Sequence, residues 1–148
     1  MRIAAAAALL AALSFAAHAA DIEVREAWSR ATAPGAKVAV GYMEIHNSGA
    51  QPDRLVAASS PAAKRVELHV TERDGEIMRM RPVKYYEIRA RGQYTLAPGA
   101  AHLMLVDVAR PLKKGERVPL KLRFERAGEI EVQLEVRDLA ARGGHQHH

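Results

Sequence analysis

Between Asp21 and Val136 the chain contains no ten-residue amphipathic stretch with a helical period. Its apolar residues recur instead at every second position, over short runs closed by turn signals. "DIEVREAW" alternates through Ile22, Val24 and then Ala27/Trp28. "KRVELHV" sets Val66, Leu68 and Val70 on one side. "RVPLKLRF" and "EIEVQLEV" repeat the pattern near the end. Pro34-Gly35, Asn47-Ser48-Gly49, Asp74-Gly75, Pro98-Gly99 and Ala127-Gly128 mark the turns. About nine or ten short strands at this spacing predict an all-β antiparallel sandwich or barrel.

Within that pattern one strand carries unusual chemistry. In "AHLMLV", Leu103 and Leu105 alternate with His102 and Met104. Side chains of a strand point to opposite faces in turn, so the leucines enter the core while the imidazole and thioether share the outward face. The two are about 7 Å apart, from a rise of roughly 3.3 Å per residue. "VELHV" places His69 outward by the same argument, and Met80 follows in "MRMRPV". The Asp74-Gly75 pair suits a two-residue hairpin turn. A turn centred on those residues predicts His69 directly opposite Met80 and Thr71 opposite Met78. The same register also pairs Leu68 with Arg81 and Val70 with Arg79, a poor core face.

Two imidazoles and two thioethers suit Cu(I). Thioether sulfur is soft and uncharged, and harder ions gain little from it. Methionine also does not titrate, so such a site keeps more of its donors on mild acidification than an all-histidine site. The four residues are separated by ten, twenty-one and one residues. This spacing, without a gap, resembles that of the periplasmic copper chaperones of the PCu(A)C family. The text around it is similar too: "AWSRATAPGAKVAVGYMEIHNSG" before the motif, "SSPAAKRVELH" leading into it and "LAPGAAHLML" at its end. The likeness runs from about Ile22 to Val136. One departure is mild: some members carry a methionine directly after the first histidine, where this chain has Val70.

The resemblance implies a cupredoxin-like Greek-key β-sandwich or barrel. It implies a surface Cu(I) site made by His69, Met80, His102 and Met104. It further implies a carrier that delivers copper for cytochrome c oxidase assembly, to a copper-accepting oxidase subunit with a binuclear centre or to a thiol-bearing copper assembly protein. A passive periplasmic copper buffer or resistance protein is the alternative. A histidine-brace copper enzyme would need an N-terminal histidine, and a cut before His18 would put Phe15 where a small residue belongs. No catalytic residue set stands out. Met78 is expected near the site as a spectator, Met43 in the core, and His46 at a strand end.

The ends read differently. Arg2, an apolar run from Ile3 to Ala17 and the small residues of Ala17-His18-Ala19 read as a signal peptide over residues 1–19, cut after Ala19. A periplasmic copper-binding β domain of residues 20–137 and a flexible tail of residues 138–148 are expected to follow. The tail's His145, His147 and His148 could form a secondary Cu(II) site through neutral imidazoles. There is no second apolar run, so no membrane span is expected in the mature protein. The chain has no cysteine, which excludes disulfides, thiolate zinc sites, iron–sulfur clusters and blue-copper ligation. Its formal charge is +5, suiting an acidic partner or simple solubility. Aromatic residues make up 5%, leaving little for base stacking, and no nucleic-acid module is present.

Overall fold

The computed structural model describes residues 21–138 and residue 140. The expected leader, and His145, His147 and His148 of the tail, lie outside the described residues. Ten strands run in order: β1 (Ile22–Arg30), β2 (Val38–Asn47), β3 (Asp53–Ser59), β4 (Ala63–Asp74), β5 (Ile77–Pro82), β6 (Tyr86–Ile88), β7 (Gly92–Leu96), β8 (His102–Val108), β9 (Arg117–Phe124) and β10 (Gly128–Arg137). Among the described residues there is no α-helix, and hence none long and apolar enough to cross a membrane.

Seven strands close on themselves in the order β4-β8-β2-β1-β10-β9-β3, with Ala58 of β3 pairing Val66 of β4 to shut the ring. Closure removes the free edges that an open sheet of this size would present. β1 and β10 pair in parallel, through Trp28 and Glu135; the other pairs are antiparallel. The alternation seen in the sequence becomes the inside and outside of this barrel. β9 is the clearest case: Val118, Leu120, Leu122 and Phe124 are buried, and Arg117, Pro119, Lys121 and Arg123 are exposed. Leu103 and Leu105 of β8 reach 0% exposure on the same core. β1 carries a β-bulge between Arg25 and Trp28, with Glu26 at φ 53°.

β4 is the strand that positions the site, because it changes partner midway. Ala63 to His69 pair with β8, whereas His69 to Asp74 pair with β5. The second half of β4 and all of β5 therefore leave the barrel as a two-stranded ribbon. β5 is exposed along its whole length. The Thr71 hydroxyl donates to the Ala100 carbonyl at 2.8 Å and fastens the base of the ribbon to the turn before β8.

The hairpin register differs from the one expected. Asp74 pairs with Ile77, so Gly75 and Glu76 form the turn, and Met80 lies opposite Thr71 while His69 lies opposite Pro82. Gly75 has φ 64° and Glu76 is not at positive φ, the pattern of a turn that takes glycine first. A core contact decides between the two registers. The observed one brings Val83 across from Leu68, with its amide donating to the Leu68 carbonyl at 2.8 Å, where the expected register would have set Arg81 there. The shift is two residues, so Met80 keeps the same face as His69.

Candidate metal centre

The site is built where β4 leaves β8. His69 and His102 are direct antiparallel partners, and Glu67 is the partner of Met104. His69, His102 and Met104 thus share one face of two neighbouring strands, with the two imidazole ring centres 5.4 Å apart. Met80 comes from the ribbon. It is diagonal to His69, a separation of roughly 7–8 Å that a long side chain can span. Three expected donors therefore stand on the barrel wall, and the fourth stands on the projecting β5.

The expectation of an outward site at the surface holds for Met80 and fails for the histidines. Met80 is 60% exposed, Met104 is half-buried, and His69 and His102 are 9% and 5% exposed. The imidazoles are recessed although they point away from the leucine core. Burial leaves polar atoms without partners. Among the described residues, neither nitrogen of His69 has a hydrogen-bond partner, nor does Nε2 of His102. The Glu67 carboxylate stands 3.9 Å from His69 Nε2, too far for a hydrogen bond. Buried nitrogens in this state are costly unless something occupies them.

His102 is held in a way that suits a ligand. Its ring lies within reach of the Ala100 carbonyl, and because Nε2 has no partner among the described residues a proton directed to that carbonyl would sit on Nδ1. A proton fixed at Nδ1 leaves the Nε2 lone pair free, which is how ligating histidines are commonly oriented. Burial holds the His102 imidazole below its ordinary range; the Ala100 bond opposes this, and the neighbouring His69 adds to it. The neutral form, the one that binds metal, is favoured.

One residue essential to this geometry carried no signal in the sequence. Tyr86 of β6 is 1% exposed, and its hydroxyl lies 2.6 Å from the His69 carbonyl and 2.8 Å from the His102 carbonyl. A single O–H is shared between the backbones of both histidines. The Tyr86 ring is stacked on Tyr94, with centres 4.7 Å apart, and burial pushes its phenol far above the usual range. Tyr86 therefore acts as a neutral donor clamping β4 to β8 at the level of the site. It could have been suspected only from "KYYEIRA" reading as a strand.

The donor types limit what this face can hold. Among the described residues no group of three or more His, Cys, Asp or Glu side chains is placed to bind an ion. An ion at the two imidazoles would need its remaining donors from the thioethers beside them, a mixture that favours a soft, low-valent metal. The residues thus fit Cu(I) by donor chemistry. The other candidates are not brought into this group. Met43 is 1% exposed in the core, as expected. His46 pairs with Glu23 and Gln93, and its Nε2 lies 3.8 Å from the Glu44 carboxylate. Met78 is on the ribbon, two residues beyond Met80.

Residues 22–136 match the family described as "Putative lipoprotein LpqE-like". The chain belongs to the LpqE-like family. Among curated proteins, this LpqE-like chain is 31% identical over 120 residues to "Putative lipoprotein Lxx21020" of Leifsonia xyli subsp. xyli, covering 80% of this chain and 71% of that protein. Among solved structures it is similar to the copper-bound PCuAC domain from PmoF2, with TM-score 0.70 and 28% identity over 80% of this chain and 93% of that one. It is also similar to the Cu(I) form of DR1885 from Deinococcus radiodurans, with TM-score 0.64 and 32% identity over 79% and 78% of the two chains. The resemblance to the PCu(A)C family is thereby established, and the fold is the cupredoxin-like barrel of these domains.

Two outcomes follow for the LpqE-like protein without metal. Tyr86→Phe removes the hydroxyl that donates to both histidine carbonyls and should destabilise the fold by about 1–3 kcal/mol. Urea unfolding measures this, and an unchanged midpoint would mean that the clamp contributes nothing. The second outcome concerns pH. The His102 pKa is lowered in the folded protein, so the unfolded chain binds more protons below its ordinary value of about 6.5. This contribution to stability is present above that value and is lost as pH falls through the folded one. The melting temperature should drop on acidification from pH 7 to 5, and His102→Gln should flatten the drop.

Proposed function

We propose that the protein is a periplasmic copper chaperone that holds Cu(I) between His69, Met80, His102 and Met104 and releases it during assembly of a cytochrome c oxidase copper centre. One observation carries the reading. Two recessed imidazoles face each other with unpartnered nitrogens, on a face that also presents two thioethers. The copper-bound PmoF2 domain and the Cu(I) form of DR1885 support copper as the ion. Export agrees with relatives described as lipoproteins and with the leader read in residues 1–19. None of the 148 residues is a cysteine, so none of them could carry a thioether-linked lipid.

The donors define a carrier. All four are neutral, so bound Cu(I) keeps its single positive charge without a fixed counter-charge among them. Release is a sequence of ligand exchanges, and no electron moves. The recessed His69 and His102 keep the ion from water on the barrel side. Met80, on an exposed strand, is the donor that faces an approaching acceptor. A thiol-bearing acceptor would then draw the ion away, since thiolates are stronger soft ligands than thioethers. The β domain of residues 20–137 would be the carrying unit, with a second, Cu(II)-selective site at His145, His147 and His148.

Met104→Leu tests the reading most cleanly. It keeps volume and apolarity and removes only the sulfur, so apo-protein stability should change by less than about 1.5 kcal/mol. Cu(I) affinity, measured by competition with a chromogenic chelator, should fall at least tenfold, roughly 1.4 kcal/mol. Wild-type affinity in this variant would rule out the four-donor site. Oxidase activity retained at low copper in a deletion strain would favour a buffer over a carrier.

A further inference from the structure

The ribbon formed by β5 and the second half of β4 has two chemically distinct faces. One presents Met78 and Met80 from β5, opposite Arg73 and Thr71 of β4. The other presents Ile77, Arg79 and Arg81 with Glu72, where Arg81 Nε donates to the Glu72 carboxylate at 2.6 Å. The thioether face is the one continuous with His69, because Met78, Met80 and Pro82 alternate in phase with it. Met78 and Met80 are 51% and 60% exposed. Neither packs into the barrel core, so core filling, the usual reason for a methionine, accounts for neither.

Positions two apart on a strand have side chains about 7 Å apart. Methionine has three rotatable bonds before its methyl group, and metal–sulfur bonds are roughly 2.3 Å. Both sulfurs can therefore swing onto one ion. Met78 is one further strand repeat from His69, too far to join Met80 and the imidazoles in a single coordination sphere.

We propose that Met78 is a transfer ligand: Cu(I) enters and leaves the four-donor site through a transient Met78–Met80 thioether pair on the exposed ribbon. The inference rests on the four-donor reading. On release the imidazole and Met104 bonds to Cu(I) break as the Met78 sulfur binds, while Met80 stays attached. The ion remains +1, every protein donor is neutral, and no electron or proton is transferred. A donor of the acceptor then replaces the two thioethers in turn. Arg73 is the cross-strand partner of Met78, and a positive charge on that face of the ribbon disfavours a resting cation there. That makes it a station for passage and not a store. A pair of thioethers also admits only soft monovalent ions, which gives the route its selectivity.

The experiment uses the intact mature protein. Stopped-flow transfer of Cu(I) to and from a chromogenic chelator should be slowed in Met78→Leu by roughly threefold or more in both directions. Affinity should change by less than either rate, because a ligand used only in passage alters both directions together. With methyl-labelled methionines and Ag(I) as a redox-inert probe, the Met78 resonance should broaden at substoichiometric metal. Wild-type transfer rates in Met78→Leu, or a Met78 methyl indifferent to Ag(I), would overturn the proposal. Failure of the four-donor reading is separately visible as unchanged equilibrium affinity in Met104→Leu. Apo-protein melts of Met78→Leu should match wild type, as expected for so exposed a side chain.

Discussion

The antiparallel pairing of His69 with His102 is the contact on which the rest of the site depends. A strand slipped by one residue would turn every side chain to the other face, sending the imidazoles into the core and Leu68 and Leu103 to the outside. Two things hold the register. The leucines themselves bury on the core side, Leu103 completely. On the β6 side, the Tyr86 hydroxyl is shared between the carbonyls of the paired histidines. The core and the site are therefore stabilised by the same alignment, and neither can shift without the other.

This alignment leaves the proposed donor set divided between two kinds of structure. His69, His102 and Met104 belong to a closed barrel wall that resists deformation. Met80 belongs to a ribbon whose outer strand has no further partner. Two-stranded ribbons are only marginally stable alone, and this one is fastened at its base by Thr71 and Ala100. A carrier needs to hold an ion firmly enough to protect it and loosely enough to surrender it. Preorganised imidazoles with one fixed tautomer serve the first need, and an exposed, flexible thioether serves the second.

Much of this was legible in the sequence. The alternation of β9 and of "HLMLV" is a direct record of which side chains meet the core, and it correctly separated Leu103 and Leu105 from His102 and Met104. What the sequence did not reveal was set by contacts distant along the chain. Asp74-Gly75 suits a turn by local preference, but the register that joins the Val83 amide to the Leu68 carbonyl and sets Val83 against the core has its turn at Gly75-Glu76. The outward phase of the histidines was right, yet facing away from the core did not mean exposure. The role of Tyr86 depends on β6 pairing with β3 and setting its hydroxyl against the His69 and His102 carbonyls, which no local pattern encodes.

The central claim is that sulfur and imidazole share one Cu(I) ion. X-ray absorption at the copper edge, on mature protein loaded with one equivalent of Cu(I), addresses this without any substitution. Two sulfur and two nitrogen scatterers in the first shell are predicted, with the outer-shell features of imidazole. A first shell of nitrogen or oxygen alone would contradict the account.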